Sequence, residues 1–211
     1  MNINQFKNNG DHKNIPPLDA GTYSAVCSGV IDIGTHMKEW KGEETPKNQL
    51  ILMFDFPTET IEIDGKQMPR CLSLKLTKSM HENAMFRKHL IAWRGRDFTD
   101  EELNDFALSK LLGAPVTIGI IQKEYKGKIY ANISTLGKAT KGTEQKATRK
   151  IYFDMGDETT YSAIEELPDW IVTLINKSAE AIATKQCFMK NKGVTKATEH
   201  VDDATDNDTP F

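Results

Sequence analysis

The chain has 211 residues, 38% of them hydrophobic and 27% charged, with a formal net charge of −3. That length suits one domain with appendages, and no apolar run approaches the roughly 18 residues that would cross a bilayer. The opening residues carry no hydrophobic signal core, and Cys27, Cys71 and Cys187 are odd in number and far apart. Together these predict reduced thiols in a cytoplasm, not a disulfide frame, a zinc site or an exported protein.

Residues 1–19 are polar and read as a flexible arm. From Gly21 a strand pattern runs to Ile33, with Tyr23, Ala25, Cys27, Ile31 and Ile33 placed on one face by strict alternation. Gly29 inside it marks a bulge or bend. A polar loop is expected from Gly34 to Lys47, carrying Lys38, Trp40 and Lys41. The second strand, Gln49–Phe56, is apolar on both faces until Asp55, and Pro57 is expected to end it. Asp64-Gly65 then signals a hairpin, with Leu72, Leu74 and Leu76 alternating in the returning strand.

Ser79 with Glu82 fits a capping box for a helix whose stripe is Phe86, Leu90 and Trp93, stopped by Gly95. Thr99 with Glu102 opens a second helix with stripe Leu103, Phe106, Ala107 and Leu111, ended by Gly113 and Pro115. Strands over Val116–Lys123 and Lys128–Ser134 follow, joined by a hairpin. Lys150–Asp154 offers a short extra strand. Pro168, with acids around it, announces a last helix with stripe Ile171, Leu174, Ser178 and Ile182. The folded domain is expected over 20–186, and a disordered linker and acidic tail over 187–211.

This order predicts a mainly β chain with helices: a five-stranded OB-fold β-barrel with two helices between strands three and four and an added C-terminal helix. Other small barrels share the order. An OB-fold binds single strands through the loop between strands one and two, the hairpin between strands four and five, and the face of strands two and three. The candidates here are Lys38, Trp40 and Lys41 in the first, Lys123, Tyr125, Lys126, Lys128 and Tyr130 in the second, and Arg70 and Lys75 on the third. An aromatic ring stacks on any base and a neighbouring cation meets phosphate, so the binding predicted is largely independent of sequence. Trp40 has a competing role as a tryptophan folded back onto the core.

Net charge conceals a partition. Residues 199–211 hold Glu199, Asp202, Asp203, Asp206 and Asp208 and no Lys or Arg, which leaves +2 on residues 1–198. Lys138, Lys141, Lys146, Arg149 and Lys150 fall within thirteen positions opposed only by Glu144. A mildly basic body with an acidic tail is the polarity of a phosphate binder whose tail competes for its own groove.

Signals for catalysis are poor. His81-Glu82 begins like a zinc-protease motif, but Met85 stands where the second His is needed. Glu124 and Lys126 have a nuclease-like spacing without an upstream Pro-Asp pair. There is no phosphate-cradling Gly-rich loop, and neither a cofactor nor a metal is expected.

The tip Asp206-Asn-Asp-Thr-Pro-Phe211 resembles the end of bacterial single-stranded DNA-binding proteins, which finish Asp-Asp-Asp-Ile-Pro-Phe. Asn207 and Thr209 depart from that pattern. With the barrel order over Gly21–Ser134, and Leu167-Pro-Asp-Trp-Ile171 as a helix start, the chain resembles phage-type single-stranded DNA-binding proteins. The resemblance implies coating of exposed strands in replication, recombination and repair, without catalysis. It assigns Asp202, Asp203, Asp206, Asp208, Pro210 and Phe211 to contacts with polymerase, helicase or nuclease partners. A strand-annealing recombination protein and a metal-dependent nuclease are the alternatives. The oligomeric state is open, a homodimer included.

Overall fold

The structure, a computed structural model, describes residues 15–40, 42–63, 65–142 and 146–190. It is mainly β. In chain order come β1 (Gly21–Trp40), β2 (Glu43–Ile63), β3 (Lys66–Thr77), α1 (Met85–Arg94) and α2 (Asp100–Asn104). A 3₁₀ turn (Leu108–Leu111), β4 (Pro115–Tyr125), β5 (Lys128–Lys138) and β6 (Ile151–Phe153) follow. A 3₁₀ segment (Glu158–Glu166), α3 (Asp169–Asn176) and α4 (Ala179–Thr184) complete it. Antiparallel pairing orders the sheet β3-β2-β1-β4-β5, and β6 adds to β1 in parallel. Among the described residues no ladder joins β3 to β5, so the sheet is open, although these two edge strands approach each other.

Alternation changes phase inside β1. The register runs Cys27↔Phe54 and then Gly29↔Met53, leaving Ser28 as the extra residue of a bulge. Before it, Tyr23, Ala25 and Cys27 face a core shared with Leu52, Phe54, Leu72, Phe86, Leu90 and Ile118. After it, Ile31 and Ile33 face the opposite side, with Ile51, Met53, Phe153, Ile171 and Ile175. The single face predicted for all five residues is therefore split, because one inserted residue inverts every side chain beyond it. A Cβ on Gly29 would meet Ile31 Cδ1 at 3.0 Å and Met53 Cβ at 3.1 Å, so the close approach favours glycine.

This phase change explains why β2 is apolar on both faces. Leu50, Leu52, Phe54 and Phe56 line the first core and Ile51 and Met53 the second. The second is roofed by β6, the 3₁₀ segment and α3. β6 takes the edge of β1 just beyond β4: Val26 pairs with Pro115, and Gly29–Ile31 pair with Ile151–Phe153.

Several boundaries differ from expectation. The polar stretch from Gly34 is ladder, not loop, running from Gly34↔Gln49 to Trp40↔Glu43. A two-stranded ribbon satisfies its backbone without an apolar face, so its composition resembles a loop. Pro57 does not end β2, because a register shift between Phe56 and Thr60 absorbs it. α1 starts at Met85 after Ala84, and the Ser79 hydroxyl instead accepts the His81 N–H at 3.3 Å. Its stripe Phe86, Leu90 and Trp93 is buried and Gly95 closes it at φ 77°. The Thr99–Glu102 capping box forms reciprocally, but α2 ends at Asn104. The C-terminal helix is two: Ser178 is buried as the N-cap of α4, accepting the Ala181 N–H at 3.1 Å, and Ile182 is 65% exposed.

Residues 15–20 are seated. Leu18 is 3% exposed, its carbonyl accepts from Gln122 Nε2 at 3.1 Å, and Arg70 Nη2 donates to the Pro16 carbonyl. They bridge β3 and β4. No helix among the described residues is long and apolar enough to cross a membrane.

Candidate nucleic-acid interface

The β4–β5 hairpin turns on Lys126 and Gly127, both at positive φ (51° and 71°), the conformation that a tight two-residue hairpin requires. Its register pairs Tyr125 with Lys128 and Lys123 with Tyr130. Gln122↔Ala131 is the inward pair, with Ala131 in the first core, so those four side chains share the outward face. The face thus carries two cross-strand aromatic–cation pairs. Tyr125 is 62% exposed, with Lys126 Nζ 5.3 Å from its ring centroid. Tyr130 is half-buried, while Lys123, Lys126 and Lys128 are exposed. Ile121, 40% exposed, extends the surface toward the base of the hairpin.

The ribbon of β1 and β2 forms a second surface. Lys38 and Lys75 line one cleft of about 310 Å³ together with His36, Gln49 and Leu174. The cleft brings together one residue expected on the first loop and one expected on the face of strand three. His36, which sequence reasoning missed, donates from Nε2 to the Ile33 carbonyl at 2.8 Å, which fixes its ring at the cleft wall. The backbone of Trp40 closes β1, whereas its side chain and all of Lys41 lie outside the described residues.

Arg70 does not join Lys75. Alternation puts it on the side of Leu72, where it holds the Pro16 carbonyl beside Tyr23, Asp19 and Glu59. Burial lowers its pKa, which marks a packed rather than a free guanidinium. The outer face of β2 is also unavailable, since Ile51 and Met53 are fully covered by the C-terminal layer. Of the expected face of strands two and three, Lys75 stays exposed at its margin.

The two hairpins lie at opposite ends of β1. Gly21 pairs with Ile120, so the β4–β5 turn projects beyond the start of β1, and the β1–β2 turn projects beyond its end. The basic run near residue 149 is partly spent on structure. Arg149 chelates Asp55 and Lys150 packs over Gly113. Lys138 packs against Gly95 at the end of α1. Among the described residues no group of three or more His, Cys, Asp or Glu could hold a metal ion. The candidate tail residues Asp202, Asp203, Asp206, Asp208, Pro210 and Phe211 lie outside the described residues.

No protein-family model matches this chain, and no curated protein matches it.

Proposed function

We propose that this chain binds single-stranded DNA with little regard to sequence, through an OB-type sheet. The observation that carries the reading is the outward face of the β4–β5 hairpin, with its Tyr125–Lys128 and Lys123–Tyr130 pairs. Each pair sets a ring for a base beside a cation for a phosphate, the arrangement that single-strand binding uses. The order β3-β2-β1-β4-β5 supports the OB reading, since it is the order of that barrel opened between its third and fifth strands. The basic cleft of Lys38 and Lys75 supplies a second contact for a longer strand.

In this reading the protein coats exposed strands during replication, recombination and repair, as phage-type single-stranded DNA-binding proteins do, and its acidic segment meets partner enzymes. The test is fluorescence anisotropy of a labelled oligo-dT, with and without duplex competitor and across a salt series. Tight binding to oligo-dT that weakens steeply with salt supports the reading. Binding indifferent to salt, or preference for duplex, overturns it. Cleavage of the oligonucleotide on adding magnesium would replace it with the nuclease alternative.

A further inference from the structure

The cleft of about 310 Å³ beside the β1–β2 ribbon offers more than its two lysines. Gln49 pairs with Gly34 and with Thr77, and Ile51, two positions on, pairs with Lys75. By alternation Gln49 continues the row of Ile51 and Met53 that α3 helps to roof. Leu174 of α3 is a wall of the cleft, so the row turns polar at the margin of that roof. Gln49 is only 8% exposed, which packs its stem. Its carboxamide nevertheless has no hydrogen-bond partner among the described residues, and both amide atoms keep accessible surface. The side chain is thus ordered before any ligand arrives, which lowers the entropy cost of binding. A carboxamide presents a donor and an acceptor side by side. Its complement is a planar edge with the same two functions adjacent, as the Watson–Crick edge of each nucleobase has.

The charge around it fits an anion. Lys38 and Lys75 are exposed and form no ion pair among the described residues, and no acid lines the cleft. The carboxylates on neighbouring rungs are engaged elsewhere: Asp32 holds Lys78 at 2.5 Å, and Glu180 accepts from the Thr35 N–H and hydroxyl. Met37, 58% exposed, and Leu174 supply apolar surface. The volume stands at the lower end of the range for small-molecule sites, about 300–1,000 Å³, which suits one nucleotide and not a stacked run. We infer that the cleft takes a single nucleotide turned out of a strand, its base edge on Gln49 against Met37 and Leu174 and its phosphate between Lys38 and Lys75. The inference rests on the single-strand reading for the source of that nucleotide and adds a second kind of contact to it. The β4–β5 face stacks bases, whereas the cleft holds one base by its edge. Rotation of the terminal amide serves either order of donor and acceptor, so Gln49 holds a base without choosing among the four.

The test uses the full chain and oligo-dT carrying 5-iodouracil, in which iodine replaces the methyl group and the hydrogen-bonding edge is intact. Irradiation couples the base to nearby aromatic, imidazole and thioether groups, and peptide mapping locates the adducts. Adducts on His36 or Met37 are expected beside those on residues 123–130. Gln49→Met, close in volume, should lower the cleft adducts at least about fivefold, the low end for a lost bidentate base contact, and leave the hairpin adducts unchanged. Lys38→Ala with Lys75→Ala should reduce the salt slope of oligo-dT binding by about 1.4. Adducts absent from the cleft, cleft adducts indifferent to Gln49→Met, or a salt slope unmoved by the lysine pair would each overturn the inference while the single-strand reading stands. Failure of the parent protein to bind oligo-dT would overturn both.

Discussion

Arg149 grips Asp55 with two hydrogen bonds, Nη2 to Oδ1 at 2.9 Å and Nε to Oδ2 at 3.2 Å, and Asp55 has no exposed surface. Ser28, the extra residue of the β1 bulge, donates to the same carboxylate at 2.8 Å. A buried charge so enclosed depends on its partner. Arg149→Met should cost about 3 kcal/mol by leaving the carboxylate unpaired, whereas replacing Asp55 and Arg149 together by apolar residues should recover much of it. Urea denaturation of the three proteins measures this.

Gly34 stands at φ 75°, and a Cβ there would lie 2.6 Å from each of Glu180 Oε2, Met155 Sδ and Ser178 Cβ. Gly34→Ala should destabilise the protein by about 3 kcal/mol, the sum of left-handed strain and overpacking. Gly65→Ala has the same φ and nothing within 4 Å, so it should cost about 1 kcal/mol from the backbone alone. Thermal melts of the pair separate the two causes.

Tyr125→Ala should weaken oligo-dT binding by roughly fivefold to a hundredfold, the worth of one stacked base, without lowering the melting temperature. Lys128→Ala should reduce the salt slope by about 0.7. Arg70→Ala should do the opposite of Tyr125→Ala: lower the melting temperature, through loss of the Pro16 contact, and leave affinity nearly unchanged. Anisotropy titrations beside melts read both effects.

Glu102 gathers Arg96, Arg94 and the Thr99 N–H, which pull its pKa from 4.5 down to about 2. Because the folded pKa lies below the unfolded one, this group's contribution is complete above about 4.5 and is lost as pH falls through 2. Glu102→Gln should flatten that part of the acid-stability curve and leave the pH dependence near neutral unchanged. Acid titration followed by circular dichroism gives the comparison.

Burial raises the Cys27 thiol to about 12 and moves Cys71 the same way, while Cys187 is exposed. Iodoacetamide should therefore label only Cys187 in the native protein and all three in urea. Peptide mapping of the alkylated sites reads the outcome.

Much of the fold was legible because burial writes itself as alternation. Leu72, Leu74 and Leu76, the α1 stripe, the Thr99–Glu102 box and the short β6 were all readable in this way. What escaped has one physical cause: features set by pairing rather than by side-chain polarity leave little trace. The ribbon from Gly34 to Lys47 is polar on both sides and so resembled a loop. Gly29 announced a bulge, but not that Ile31 and Ile33 would serve a second core. Of the candidate site, the hairpin residues Lys123, Tyr125, Lys128 and Tyr130 fall on one face, as turn chemistry and period two imply. Arg70 looked like Lys75 in sequence, and only the seating of Pro16 and Leu18 distinguishes them. Arg149 looked like a surface cation because its partner is 94 positions away.

The phase change at Ser28 and Gly29 has a consequence for how the molecule comes apart. β1 contributes Ala25, Cys27 and Val30 to one apolar layer and Ile31 and Ile33 to the other, and β2 contributes to both over Leu50–Phe56. Neither layer can be peeled away while the other keeps its strands in place. Loss of the C-terminal roof would expose Ile31, Ile33, Ile51 and Met53 on strands whose reverse sides hold the remaining core together. Amide protons on the two sides of β1 should therefore exchange with a common opening energy, and the melt should proceed in one step rather than layer by layer.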